Sequence, residues 1–442
     1  MRNGVFAFLI FASILLAAST GRMEPLTDAI LKNGRTAVEL AIGLVGVMAL
    51  FLGLMRVAEE GGLLRIVSRA AAPVMRRLFP DVPADHPAMS AMVFNISANM
   101  LGLANAATPF GIKAIEGLNE LNPRKGTATD AMVLFLAINT AGFAILPTTV
   151  LGVRVALGSE EAAAILFPTW FASGCATLVA ILAALLLSRL PRYRRSSPGT
   201  VPFSPEANET GIEASPEKGT VPSTEAPTEA GTVPRWRLLA IIAFFLAYAA
   251  LMALHLLRSY AESTALELTR QITSHWILPA IVAALVLVSW SRGVRVYDAL
   301  VEGAKEGFQV ALRIIPYLVA ILVGVGMFRA SGGIDLIARG FGPLTGWIGM
   351  PAEALPMALL RPLTGSGALA VMSEIMTEHG PDSPIGYLVS TFQGSTETTF
   401  YVLAVYFGAV GIRRTRHTLP ACLLADAAGI LAAVFIVNLF LG

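Results

Sequence analysis

Apolar runs long enough to cross a bilayer alternate with short polar breaks along most of this chain. Segments 36–55, 162–188, 236–257, 275–291, 307–328 and 418–441 carry almost no charge, and about 20 such residues span a hydrocarbon core as an α-helix. Residues 128–152 and 384–410 are also apolar, but each is interrupted, the first at Pro147 and the second by the polar run Gln393-Gly-Ser-Thr-Glu-Thr-Thr399. Two further stretches, 87–121 and 352–380, read as re-entrant hairpins in which an apolar arm meets a break and returns. The breaks are expected at Asn105–Pro109 and at Arg361–Gly367. Residues 56–77 set Arg56, Arg65, Arg69, Arg76 and Arg77 among apolar positions at helical spacing, the pattern of a helix lying on a membrane surface.

The same landmarks occur twice. Gly53-Leu-Met-Arg56 with Gly61-Gly62 and Pro73 is echoed by Gly326-Met-Phe-Arg329 with Gly332-Gly333 and Pro343. Gly142 of LAINTAG answers Gly394 of LVSTFQG, and Ile181-Leu-Ala-Ala184 returns as Ile430-Leu-Ala-Ala433. Basic residues set the orientation of membrane helices, because Lys and Arg stay on the cytoplasmic side. With Arg65–Arg77, Arg124-Lys125, Arg189–Arg195, Arg292–Arg295 and Arg413–Arg416 placed inside, the first copy starts outside and the second starts inside. The expected fold class is therefore all-α: a polytopic membrane protein of two inverted-topology repeats, each with a broken re-entrant hairpin. Two mirrored halves can supply one site and two gates, which is how secondary transporters are built.

Composition agrees with that class. At 55% hydrophobic and 14% charged residues, with mean hydropathy +0.68, the chain has too little polar surface for a soluble protein of its length. A net charge of +2 gives no reason to expect nucleic-acid binding. Residues 4–19 follow Arg2 and end in small residues, which fits a cleaved signal peptide or a short first helix; the retained helix is the reading that keeps the later topology in step with the basic residues. Residues 190–234 turn abruptly to Pro, Ser, Thr, Glu and Gly, a composition that cannot bury a core. The expected organisation is thus a first membrane repeat over 1–189, a disordered cytoplasmic linker over 190–234, and a helical hairpin with the second repeat over 235–442. The plasma membrane of a bacterium is the expected location, with the N-terminus and linker cytoplasmic.

Chemistry is expected at the breaks, since irregular backbone survives at membrane depth only inside protein or beside a water-filled cavity. At the first hairpin stand Asn95, Asn99, Asn105 and Thr108, the first two one turn apart on one helix face. The second hairpin offers Arg361, Thr364 and Ser366. The interrupted spans add Asn139 and Thr140 on one side and Gln393, Ser395, Thr396, Glu397 and Thr398 on the other. Glu397 near mid-membrane costs about 3 kcal/mol unless partnered, so it is expected either to pair with Arg361 or to take a driving proton or cation. Glu39, Arg313, Glu374 and Asp426 are read as structural pairs. Cys175 and Cys422 lie in apolar runs and read as packing residues. No zinc, protease or P-loop motif occurs, no cofactor is expected, and no enzyme site can be read.

The run NMLGLANAATPFGIKAIEGL with NTAGFAILPTT resembles the spore maturation A family, and RIIPYLVAILVGVGMFRASGGID, RPLTGSGALAVMSEI and STFQGSTETTFYVLAVYFGAVGIRRTRH resemble spore maturation B. The likeness covers nearly everything except 190–234. It implies membership of the nucleoside-recognition, or gate-domain, superfamily, which includes concentrative nucleoside transporters and the gate region of ferrous-iron transporters. It implies a small polar solute, nucleoside-like or anionic, and an oligomer; these stand on fold-level analogy. Transport by a transporter or channel is weighed against a non-transporting component that recruits or regulates envelope or spore maturation machinery.

Overall fold

The computed structural model describes residues 2–194, 235–259, 267–268 and 271–440. Most of the expected disordered linker over 190–234 lies outside the described residues. Regular structure among the described residues is helical, with one isolated bridge between Thr127 and Arg414.

Helix α1 (Arg2–Thr20) leads into a long α2 (Met23–Glu60), followed by α3 (Leu63–Leu78), the hairpin arms α4 (Pro87–Met100) and α5 (Ala104–Glu120), the split span α6 (Asp130–Ala141) and α7 (Thr148–Ala156), and α8 (Leu166–Ser188). Helices α9 (Arg235–Ser259) and α10 (Ile277–Ser291) come next. The series then repeats as α11 (Val296–Ala330), α12 (Gly333–Gly346), arms α13 (Leu355–Leu360) and α14 (Gly365–His379), split span α15 (Pro384–Ser395) and α16 (Thr399–Ala409), and α17 (Thr418–Phe440). Among the described residues, five helical stretches are long and apolar enough to cross a membrane: Met23–Glu60, Ala162–Ser188, Trp236–Leu257, Ile272–Ser291 and Thr418–Phe440. The chain is a multi-pass helical membrane protein.

Local rules account for the matching ends. Gly62, the second glycine of its pair, and Gly332, the first of the other, precede α3 and α12 in the left-handed region, at φ 69° and 88°, where a side chain is disfavoured. Thr129 and Ser383 cap α6 and α15, each accepting from the backbone N–H three residues on, which satisfies one orphan donor of the first turn.

Each long helix of the first series lies antiparallel on its counterpart. Gly303 and Gly307 of α11 pack on Leu52-Gly53 and Met48-Ala49 of α2, and Gly326 packs on Asn33. Close approach needs the glycines, since a Cβ at Gly303 would sit 2.6 Å from the Leu52 carbonyl. Along α8 and α17 the pairs run Phe167 with Phe440, Phe171 with Phe435, Gly429 with Ala176, and Ala184 with His417. At the other end of α11, Gly324 packs on Phe6 of α1.

Three expectations need correction. The first hairpin turns at Leu101-Gly102-Leu103, with Gly102 at φ 75°, and not at Asn105–Pro109. Helix α5 has already begun at Ala104, and Pro109 lies within it. Pro109, the sixth residue of α5, costs that helix one internal hydrogen bond, yet the helix runs on to Glu120 and the glycine makes the turn. The spans expected at 36–55 and 307–328 are the apolar parts of longer helices, which begin with the more polar stretches 23–35 and 296–306.

Candidate functional site

The two split spans meet at their breaks, and the broken ends satisfy each other. Ending a helix leaves its last carbonyls without partners. At the end of α6 the Thr140 carbonyl accepts from the Glu397 N–H at 2.8 Å. At the end of α15 the Gln393 and Thr396 carbonyls accept from one nitrogen of Arg361, the first at 3.1 Å. Arg361 stands at the turn of the second hairpin, is buried to 3% exposure, and also donates to Thr398 Oγ1 at 3.2 Å. Its guanidinium therefore lies at the negative end of the α15 dipole, while Glu397 precedes α16 at its positive end.

Each hairpin turn is tied to its own split span in the same way. The Ile145 N–H donates to Met100 O at 2.7 Å in the first series, and the Phe400 N–H donates to Pro362 O at 3.1 Å in the second.

Glu397 lies 3.8 Å from Arg361 Nη2 and its side chain is 56% exposed, so it pairs with the buried cation while keeping an open face. Gly142, at φ 56°, is what lets it in: a Cβ there would sit 2.7 Å from Glu397 Cγ. On its other side Gly142 lines a cleft of ≈ 280 Å³ with Asn99, Asn139 and Thr177 as polar walls and Ile96, Met100, Ile138 and Phe143 as apolar ones. Asn99 Nδ2 donates to Asn139 Oδ1 at 3.0 Å, and Asn139 Nδ2 in turn donates to Phe135 O at 2.9 Å.

Asn95 is buried one turn from Asn99 and donates to Ala107 O at 2.7 Å and to Tyr406 OH at 3.2 Å. Tyr406 also covers Gly111. The two hairpins thus reach the centre at different levels of α16: the second at its first residues, through Phe400 and Thr398, and the first two turns further on, through Tyr406. Thr140 Oγ1 and Ser395 Oγ bond back to their own helices, at Ala137 O and Phe392 O. Thr364 caps α14 by accepting from Gly367 N, and Ser366 is half-buried in the first turn of that helix. Thr108 is half-buried inside α5. The side chain of Asn105 lies outside the described residues.

Among the described residues, several buried polar atoms around the crossing have no partner: Asp426 Oδ1, Gln393 Oε1, Thr396 Oγ1 and Thr169 Oγ1. Asp426 accepts from Thr399 Oγ1 at 2.6 Å through its other oxygen. Glu374 makes a two-point pair with Arg329, at 2.8 and 2.9 Å, and Glu39 pairs with Arg35. The side chain of Arg313 lies outside the described residues.

The sequence reading missed two buried arginines. Arg154, at the end of α7, donates to Asp382 at 2.7 Å, and Arg416, before α17, donates to Asp130 at 2.7 Å. Each joins the two series, and the two acids stand at the N-terminal ends of α15 and α6. The helix-start signals Asp382-Ser-Pro384 and Thr129-Asp130 were visible, but nothing in one sequence says which arginine reaches them.

Residues 41–159 and 311–413 match the family model described as Gate, nucleoside recognition. The chain belongs to the Gate family. Spore maturation protein B of Bacillus subtilis (strain 168) is 46% identical over 166 residues, 38% of this chain and 93% of that protein. Spore maturation protein A of the same organism is 39% identical over 199 residues, 45% of this chain and all (100%) of that protein. Each relative accounts for part of this Gate protein, as a fusion of two such proteins would. A crystal structure of the Alcanivorax borkumensis YdaH transporter is 15% identical, covers 98% of this chain and 97% of its own, and has a TM-score of 0.44; at that score it decides nothing about this Gate protein.

Proposed function

We propose that this protein is a transporter or channel-like protein for a small polar solute in a bacterial plasma membrane, built as two inverted-topology repeats over 1–189 and 235–442 joined by a cytoplasmic linker. The antiparallel packing of α2 on α11 and of α8 on α17 supports the inversion, because equivalent helices of oppositely inserted copies must run in opposite senses. The observation that carries the functional reading is the crossing itself. Four helix ends, Arg361 and Glu397 converge beside a cleft with paired asparagine amides, an arrangement that costs stability and that a passive scaffold has no need of.

In this reading Asn99 and Asn139 receive the solute, since amides can donate and accept toward the polar edge of a nucleoside-like ring. Arg361 and Glu397 lie at the crossing, where Glu397 takes a proton or cation that couples movement to a gradient. Thr140, Gln393, Thr396 and Thr398 supply main-chain and hydroxyl oxygens around them. The chemistry is non-covalent throughout, so the protein is proposed as a non-enzyme.

The relatives' names favour a second reading, in which the protein serves spore or envelope maturation by recruiting other components through its linker. One experiment separates the two: uptake into proteoliposomes of nucleosides, amino acids, dipicolinate-like acids and divalent cations, with the full chain and with a chain lacking residues 196–232. Uptake that survives removal of the linker but is lost on Arg361→Gln supports transport. Absence of uptake for every solute, with a cellular phenotype that follows the linker alone, overturns it.

A further inference from the structure

A second cleft, of ≈ 270 Å³, opens between α3 and α4, away from the crossing. Arg65, Arg69 and Arg76 line one wall with Ser68 and Ser90, and Ala72, Met89, Val93 and Phe94 line the rest. At 100° per residue, positions 65, 69 and 76 fall in a stripe about 40° wide on α3, whereas Arg77 points elsewhere. All three guanidinium-bearing residues are exposed, and among the described residues none of them has an acidic partner. Asp85 follows Ala84 of the cleft wall yet makes no ion pair with them.

The duplicated helix shows that the fold does not require this cluster. With Gly62 matched to Gly332 and Pro73 to Pro343, Arg65 corresponds to Asp335, Arg69 to Arg339 and Arg76 to Gly346. Asp335 is instead paired with Arg22 at 3.5 Å. The general bias of basic residues toward one membrane face accounts for the sign of the charge. It does not account for three arginines in one stripe above a cleft whose other walls are apolar.

From this we infer that the α3–α4 cleft binds an anionic phospholipid, with the phosphate held by Arg65, Arg69 and Arg76 and the upper acyl chain against Met89, Val93 and Phe94. Arginine suits the task because its planar fork meets two phosphate oxygens at once. The helix carrying the cleft follows the first long apolar span and is itself amphipathic, so its polar face sits at headgroup depth. Ser68 and Ser90 supply hydroxyls for the remaining headgroup oxygens. A headgroup bound here would brace the first hairpin, because α4 leads directly to Asn95 and Asn99.

The test uses the purified full chain in neutral detergent, with thermal unfolding read as phosphatidylglycerol, phosphatidylcholine or inorganic phosphate is added. Phosphatidylglycerol is expected to raise the midpoint by several degrees, phosphatidylcholine and inorganic phosphate by far less, and 0.5 M salt to weaken the effect. In R65Q/R69Q/R76Q the apparent affinity for phosphatidylglycerol should fall at least tenfold. Should that variant fail to fold, Arg65→Gln and Arg69→Gln alone, both on exposed side chains, should each weaken binding several-fold. An equal shift in the triple variant, an equal shift with phosphatidylcholine, or a shift reproduced by inorganic phosphate alone would each overturn the lipid assignment.

Discussion

Arg154 of the first series reaches Asp382 of the second at 2.7 Å, and its side chain is completely buried (0%) against the 31% exposure of its partner. It also donates to Pro381 O and Ser390 Oγ and lies 4.6 Å over the ring of Tyr387. The reciprocal pair, Arg416 with Asp130, has the same imbalance, at 2% and 41%. A cation left in a buried place without its counter-charge costs about 3–5 kcal/mol, whereas a half-exposed carboxylate can be rehydrated. Asp382→Ala is therefore expected to lower thermal stability more than Arg154→Met does, and Asp130→Ala more than Arg416→Met. Unfolding midpoints of the four variants in one detergent decide the order; a reversed order shows that packing of the arginine stem outweighs the charge.

Gly142→Ala is expected to damage the crossing. The residue is in the left-handed region and its new Cβ would meet Glu397, so about 1–2 kcal/mol of backbone strain adds to a steric push on the acid. Gly53→Ala offers the comparison, because its Cβ would meet the Leu300 carbonyl at 2.6 Å far from Glu397. Both variants should unfold earlier than the parent. Loss of solute uptake out of proportion to stability is expected for Gly142 alone.

Glu397→Gln should leave the fold intact, since the side chain is largely exposed and its pairing with Arg361 is long at 3.8 Å. Under the transport reading it should abolish coupling to a pH or cation gradient. Uptake with unchanged gradient dependence would remove Glu397 from the mechanism.

Burial and the neighbouring Arg416 lower the His417 pKa below the ordinary histidine value, against an opposing pull from Asp130. The unfolded chain then binds the proton more readily than the folded one, so stability rises with pH across the interval between the two pKa values. Acidification from neutral pH through the histidine range is expected to lower the unfolding midpoint. His417→Gln should flatten that part of the profile, and a profile unchanged by the substitution refutes the assignment.

How much of this was legible without coordinates differs from element to element. The long helices follow from apolar length, and the Gly-Gly and Pro landmarks fall where they do because several of these glycines answer a local demand for φ > 0 or for a close helix approach. The breaks expected within 361–367, 139–147 and 393–399 were legible for the same local reason, and the helices are interrupted inside each of those ranges. The first hairpin's turn was misplaced by a few residues because Pro109 is conspicuous in sequence but tolerated near a helix start, while Gly102 makes the turn unobtrusively.

Which partners the breaks choose was not legible. That Thr140 accepts from the Glu397 backbone and that Arg154 and Arg416 reach Asp382 and Asp130 depends on contact between segments more than 200 residues apart, and that Arg361 closes the end of α15 depends on how the second hairpin folds against its split span. Sequence determined which stretches had to be apolar helix and roughly where most of them break, because those are costs settled within a few residues of backbone. Only the packed structure decided which orphaned carbonyl met which cation, because a buried polar group takes whatever partner the crossing brings within reach.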